Sequence, residues 1–440
     1  MTEASPDRDG PPAPRPGAYD TLAPERVIWG RPAAEAVVEE ADRLAAKRVF
    51  LVASRTLNTR TPVVERVRQA LGARHVATFD GCAEHTPRET VIAAAEAARA
   101  ADPDLVVTIG GGTAIDTVKV MLVCIAHGLT RTGELDDYHL RIGPDGNPVR
   151  PTVASPPYRQ IAVPTTLSGA EYSNFGGCTD TARQVKDGYL GPEIGPRSVI
   201  LDPAATLPTP QDLWLSTGIR AVDHAVESVC SIATNPLVDA CALAGLRLFA
   251  TALARTRTAA DDLAARMTCQ HAAWLASTGI IRVPYGASHG IGHSLGAVTG
   301  MGHGHTSCVM LPQVLRWNRA ATEPQQAEIA RSLGRTDGDA AQSVADLVSS
   351  LGQPGRLRDA GVRRDQLPPV AAGALDNVFV RANPRPITTV AEIEEILDMA
   401  WCSTTAPPSP PCASTWRRPT STPRPSWPPT TSTTSTRSSW

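Results

Sequence analysis

Between Arg26 and about Pro203 short apolar runs alternate with helical repeats, and that rhythm restricts the fold more than any other feature of the chain. RVFLVAS (48–54) is a β-branched run bounded by charge, as a buried strand requires. VVERVRQALG (63–72) has helical spacing, and HVATFD (75–80) is a second strand. TVIAAAEAARAADP (90–103) is a helix of strong formers closed by Asp102-Pro103. DLVVTIGGG is a third strand running straight into glycines, while RQIAVPTT and RSVILDP (197–203) are two more. Strands separated by helices pair in parallel through right-handed crossovers. In such sheets ligands bind at the carboxyl ends of the strands.

RTGELDDYHLRIGPDGNPVRPTVASPPYR (131–159) interrupts the rhythm and reads as a surface excursion with a PDGNP turn at 144–148. From Thr209 the texture changes. Thr209-Pro210 with Asp212 reads as a helix start: a capping hydroxyl, a first-turn proline, and an acid by the positive end of the dipole. PLVDACALAGLRLFATALART and DDLAARMTCQHAAWLAS are helical, with almost no strand signal. The expected fold is an α/β, Rossmann-like N-terminal domain over 22–204 and an all-α C-terminal domain over 205–402. MTEASPDRDGPPAPRPGAYD reads as part of a disordered leader, 1–21. AEIEEILDMAW (391–401) is a closing helix. The Ser/Thr/Pro/Arg/Trp-rich stretch 403–440 cannot bury a core, and reads as a disordered tail or a shifted reading frame.

A net charge of −2 gives no reason to expect nucleic acid or an anionic membrane as partner. The nine scattered cysteines contain no CxxC pair and form no disulfide framework, which suits a reducing cytoplasm. No secretory signal and no run of eighteen apolar residues are present. A soluble cytoplasmic protein acting on small molecules is expected.

Four stretches carry chemistry. Gly110-Gly111-Gly112-Thr113 lies between a strand and a helix, where backbone N–H groups and the helix dipole favour a phosphate. Asp116 and Lys119, three residues apart, share one face of that helix and by themselves read as a solvated ion pair. VPTTLSGAEYSNFGGCTD (163–180) ends a strand in Pro164, Thr165 and Thr166 before a Gly-rich turn containing Ser168. GIRAVDHAVES (218–228) puts Arg220, His224 and Glu227 on one helix face. SHGIGHSLGAVTGMGHGHT (288–306) holds His289, His293, His303 and His305, a density that marks a site.

In order and spacing these stretches resemble the iron-containing (group III) alcohol dehydrogenase family, with its dehydroquinate-synthase-like fold. The similarity runs over residues 22–401 and includes VMLPQVLRWN (309–318) and ANPRPIT (382–388). The resemblance implies that Gly110 to Lys119 bind the pyrophosphate and nicotinamide ribose of NAD(P)H and that Pro164, Thr165 and Thr166 line the cofactor. It implies a dimer. In metal-bearing members an Asp four residues before the helix His joins it and two later histidines around a divalent ion. The corresponding residues are Arg220, His224, His289 and His303. Arginine offers no lone pair and stays charged, so it is no ligand. Asp223 lies about 100° round the helix from His224. Three histidines alone could still hold zinc with an open position. PTTLSGAEYS, in place of the commoner PTTAGTGSE, is similar to the maleylacetate reductase branch, which works without metal. There Arg220 can pair with a substrate carboxylate.

Ser54 followed by Arg55 ends the first long strand where NAD-selective members often carry an acid, so NADPH is expected to be accepted beside NADH. The expected reaction is hydride transfer between nicotinamide C4 and a carbonyl carbon of an aldehyde or keto acid, with no metal. His293 or His289 delivers the proton while His224 and His303 shape the pocket. Three other readings remain open at this point. They are a metal-dependent alcohol dehydrogenase using three histidines, a sugar-phosphate cyclase of the same fold, and a non-catalytic nucleotide-binding homologue. The cyclase needs a basic cluster after PTTL, where Lys186 stands almost alone.

Overall fold

The computed structural model describes residues 19–21, 24–143, 148–183 and 185–402. The expected leader apart from 19–21, most of the PDGNP turn and the tail 403–440 lie outside the described residues. The strands are β1 (Arg26–Trp29), β2 (Val49–Ala53), β3 (His75–Phe79), β4 (Leu105–Gly110), β5 (Arg141–Ile142), β6 (Pro148–Val149), β7 (Gln160–Pro164), β8 (Phe175–Asp180), β9 (Val185–Leu190) and β10 (Ser198–Leu201). Six of them form a parallel sheet in the order β1-β10-β7-β4-β2-β3. Helices α1 (Ala33–Arg43), α2 (Arg55–Arg60), α3 (Val63–Leu71), α4 (Arg88–Ala101) and α5 (Gly112–His127) connect its strands. The apolar runs of β2 and β4 are buried at every position, as expected of strands covered on both faces.

Two features of this half lie beyond the sequence reading. β1 completes the sheet edge, and FGGCTD with VKDGYL forms the antiparallel hairpin β8–β9 rather than a Gly-rich turn alone. The stretch 131–159 is only partly a surface excursion. Its 3-10 turn Thr132–Asp137 buries Leu135 completely, and Arg88 of α4 holds the Thr132 carbonyl.

The second half is helical throughout: α6 (Gln211–Val229), α7 (Pro236–Thr258), α8 (Leu263–Ala276), α9 (Ala287–Thr299), α10 (His303–Asn318), α11 (Glu323–Ser332), α12 (Ala340–Ser350), α13 (Leu367–Ala374), α14 (Val378–Arg381) and α15 (Val390–Cys402). By length and composition α7 could cross a membrane; here it packs against α6 and α8 and buries Val238, Leu246, Phe249 and Leu253. The start of α6 corrects the expected cap. Pro210 occupies the N-cap with no side-chain bond, because the Thr209 hydroxyl donates instead to the Thr165 carbonyl at 2.7 Å. With Leu167 N–H donating to Thr217 Oγ1 at 3.2 Å, that bond pins the end of β7 to α6 and so joins the two halves of the site.

Candidate active site

The side expected to receive the coenzyme is built where β4 and β7 end together. Gly110 pairs with Pro164, and Thr165 N–H donates to the Gly110 carbonyl at 2.9 Å. Gly111 then caps the sixteen-residue α5. A Cβ at Gly111 would lie 2.8 Å from Thr166 Cγ2, so a larger residue there would force the Thr166 side chain to shift. The outcome is a cradle of Gly110, Gly111, Gly112 and Thr113 facing Thr165, Thr166 and Ser168, with unshared first-turn N–H groups of a helix pointing outward. Ser54 stands at the end of the adjoining β2, where it caps α2 by accepting from Leu57 N–H at 3.3 Å.

Asp116 and Lys119 are not a solvated pair. Lys119 is fully buried and its ammonium donates to Asp116 Oδ1, the Ala170 and Phe175 carbonyls, and Ser173 Oγ, at 2.6–3.2 Å. Asp116 Oδ2 accepts from Gly177 N–H at 3.2 Å. The pair therefore fastens α5 to the hairpin β8–β9.

The side expected to carry the chemistry is organised by α6 against α9 and α10. Glu227 replaces a local cap for α9: it accepts from the N–H groups of Gly286, Ser288 and His289, while Asn383 accepts from Ala287 N–H at 3.1 Å. All four first-turn donors of α9 are thereby satisfied from outside the helix. This explains the ANPRPIT segment, and the role of Glu227 was absent from the expected site residues.

Glu227 also begins a chain of contacts through two rings. Glu227 Oε2 lies 2.8 Å from His289 Nδ1, His289 Nε2 lies 2.9 Å from His224 Nδ1, and His224 Nε2 lies 3.2 Å from the Ser168 carbonyl. A carbonyl only accepts, so His224 Nε2 carries a proton and, in a neutral ring, His224 Nδ1 is a lone pair. His289 Nε2–H then donates to it, and His289 Nδ1 accepts from a protonated Glu227. The electrostatics agree with this assignment. Burial, with Asp223 adding to it, pushes Glu227 above the usual carboxylate range. Burial and the Arg220 charge hold His224 and His289 well below the usual imidazole range.

Arg220 lies one turn before His224, buried, with Nη1 donating to Ser307 Oγ of α10 at 3.1 Å and 3.7 Å from Asp223 Oδ2. Asp223 Oδ2 in turn accepts from Ser288 Oγ and Ser307 Oγ at 2.8 and 2.6 Å. Among the described residues the guanidinium thus has one distant carboxylate and one hydroxyl, leaving donors over. His293 and His303 face each other edge to face with ring centres 5.8 Å apart, and Lys186 Nζ, from β9, lies 3.2 Å from His303 Nε2. Among the described residues none hydrogen-bonds to His293. Burial, Arg220 and Lys186 lower its pKa to about 3; Lys186 first, then burial, holds His303 well below normal.

Of the four histidines in the His-rich stretch, three reach this cleft. His305 instead turns to Asp212 at 3.2 Å, at the start of α6. Lys186, read in the sequence only as a nearly solitary lysine after PTTL, stands beside His303 here: 117 positions separate the two, and the hairpin brings them together.

The depressed pKa of His293 has a measurable consequence. In the folded chain it stays neutral, while in the unfolded chain it binds a proton below about pH 6.5, so its contribution to stability is lost as pH falls through that value. His293→Asn removes this dependence. Between pH 7 and pH 5 the variant is expected to lose about 1 to 2 kcal/mol less stability than the parent in urea unfolding. Equal losses in both proteins would show that His293 titrates normally.

Comparison with known proteins identifies the family of the chain. Residues 24–203 fit the model of the iron-containing alcohol dehydrogenases, and residues 214–401 that of the C-terminal part of the same family. The chain is 32% identical over 411 residues to dehydrogenase FUM7 of Gibberella moniliformis, covering 85% of this chain and 95% of that one. It is 31% identical over 385 residues to maleylacetate reductase of a Rhizobium species, covering 87% and 97%. The crystal structure of maleylacetate reductase from Agrobacterium tumefaciens superposes with a TM-score of 0.74 at 29% identity, covering 88% of this chain and 98% of that one. The chain is an oxidoreductase that belongs to the iron-containing alcohol dehydrogenase family, with similarity to its maleylacetate reductase branch.

Proposed function

We propose that this chain reduces the carbonyl group of a small anionic substrate, a keto acid or aldehyde of the maleylacetate type, with NADH or NADPH and without a metal ion. The observation that supports this most is Arg220, a buried guanidinium one helical turn before His224. A divalent ion does not fit the side chains around it. The facing nitrogens of His224 and His289 share one hydrogen bond, His303 Nε2 accepts from Lys186, and Arg220 adds a fixed positive charge. Asp223, Glu227 and His289 also come within 4.8 Å of one another, but Glu227 is occupied by N–H donors and Asp223 Oδ2 by two serines.

The nicotinamide coenzyme, when bound, supplies the hydride. Gly110, Gly111, Gly112 and Thr113 would receive its pyrophosphate at the start of α5, and Pro164, Thr165, Thr166 and Ser168 would line it, with Ser54 at the neighbouring strand end. Asp116 and Lys119 serve that site through the hairpin they hold. Arg220 pairs with the substrate's carboxylate, using the donors left over from Ser307. His293 is the open imidazole and hydrogen-bonds the carbonyl oxygen; His289, with both nitrogens engaged, is a relay member. Binding of an anion offsets the two cations that help to hold His293 neutral, which raises its pKa toward the range of a proton donor. His224 and His303 bound the pocket. Residues 22–204 thus bind coenzyme and residues 205–402 carry the chemistry. The protein is further proposed to be a cytoplasmic homodimer.

The test is a coenzyme-oxidation screen over keto acids and aldehydes, run with NADH and NADPH, together with elemental analysis of the purified protein. Oxidation of both coenzymes by keto acids, with metal far below one ion per chain, is expected. One tightly held ion per chain, with activity lost to chelators and restored by adding the ion back, would overturn the metal-free reading.

A further inference from the structure

We infer that Asp80, at the carboxyl end of β3, sets the coenzyme preference: its carboxylate takes the ribose hydroxyls of NADH and opposes the 2′-phosphate of NADPH, which Arg55 attracts. This rests on the coenzyme cradle proposed above and deepens it. A dinucleotide whose pyrophosphate lies at the start of α5 extends its adenosine ribose toward the end of the neighbouring strand. There an acid accepts from the 2′-OH, or an arginine receives a 2′-phosphate. The neighbour of β4 on that side is β2. The residue at its end, Ser54, brings no charge and already accepts from Leu57 N–H.

The acid comes instead from one strand further out. Phe79 pairs with Val52, and Ser54 bridges to Gly81, so Asp80 stands beside Ser54 at the same edge of the sheet. Contacts on both sides place this corner along the flank of the cradle. Leu57 of α2 lies against Gly110, with Cδ1 3.9 Å from where a Cβ would stand. After Asp80 the chain runs beside α5: the Cys82 thiol meets the Thr117 side chain, and Thr86 Oγ1 lies 3.5 Å from the Thr113 carbonyl. Asn58 aims the carboxylate by donating from Nδ2 to Asp80 Oδ2 at 3.0 Å. Asp80 Oδ1 lies 4.0 Å from Arg55 Nη2, on a side chain that is 78% exposed against 28% for Asp80. The acid is therefore held, whereas the guanidinium is in a long, solvated pair that costs little to exchange for a phosphate.

Binding, not turnover, provides the test. Adenosine 5′-monophosphate and adenosine 2′,5′-bisphosphate, which differ only in the 2′-phosphate, are titrated calorimetrically into the full chain. Asp80→Asn can still accept from Asn58 and loses only the charge. It is expected to tighten the bisphosphate about tenfold relative to the monophosphate, and Arg55→Met to weaken it by about as much. Both shifts should shrink at about 0.5 M salt, as contrasts between partly exposed charges do. Equal changes for the two nucleotides in Asp80→Asn, or none, overturn the inference, since the acid then only ties α2 to β3. If neither nucleotide binds the parent, the cradle itself is misplaced and the inference falls with it. If the nucleotides behave as expected but no carbonyl compound oxidises either coenzyme, the hydride-transfer reading fails and the role of Asp80 stands.

Discussion

Arg220→Asp is expected to convert the cleft from one that binds anions into one that binds a divalent ion. The substitution removes the guanidinium that would pair with the substrate, and it puts a carboxylate one turn before His224. Loss of a buried charged partner costs about 3 to 5 kcal/mol, so kcat/KM for a keto acid should fall by roughly 10²- to 10⁴-fold. At the same time the introduced carboxylate, with His224, His289 and His303, would supply one oxygen and three nitrogens, a set suited to zinc or iron. The His224–His289 bond must then open, as ligand nitrogens have to be unprotonated. Without metal the variant should be less stable than the parent, since two acids in a buried site repel each other; added zinc should raise its Tm in a saturable way while leaving the parent unchanged. Arg220→Gln separates the two effects, with activity lost and no metal gained. If Arg220→Asp alters neither keto-acid reduction nor metal affinity, Arg220 does not occupy the position assigned to it.

What was legible in the sequence was local. The glycines after β4 could be read because an apolar run and a helical repeat flank them within a few residues, and the Arg220–His224–Glu227 face because helical spacing fixes it. The hairpin β8–β9 was not legible. FGGCTD and VKDGYL have neither the alternation nor the β-branched density of a core strand, since the hairpin buries few apolar side chains, Cys178 and Tyr189 among them, and relies also on Lys119, Arg88 and three aspartates. Lys186 went with it. Thr209 misleads for a similar reason: a hydroxyl before Pro-x-Asp looks like a cap, and its actual acceptor lies 44 residues earlier in the chain. Lys119 did carry a signal that a pairwise rule missed. In AIDTVKVMLV apolar residues surround the lysine on every side, and a helix apolar all round is a buried helix, whatever charge it contains.

That burial makes Lys119→Met the largest stability loss expected here. The thioether fills the volume of the stem, so the change removes little beyond the ammonium. What remains is a nearly enclosed Asp116 with its counter-charge gone, and carbonyls at Ala170 and Phe175 that must find water or stay unpaired. Breaking a buried pair in this way costs about 3 to 5 kcal/mol, against about 0 to 1 kcal/mol for the exposed pair suggested by the spacing alone. The two figures are far enough apart for urea unfolding to decide between them. The damage should also reach the cleft. Released from α5, the hairpin and the Ala170 carbonyl would no longer brace the proposed coenzyme cradle, so that residual activity in Lys119→Met should show a raised KM for the coenzyme. A variant with the parent's urea midpoint would show that Lys119 is solvated, and one whose coenzyme KM stayed at the parent's value would show that the hairpin does not support the cradle.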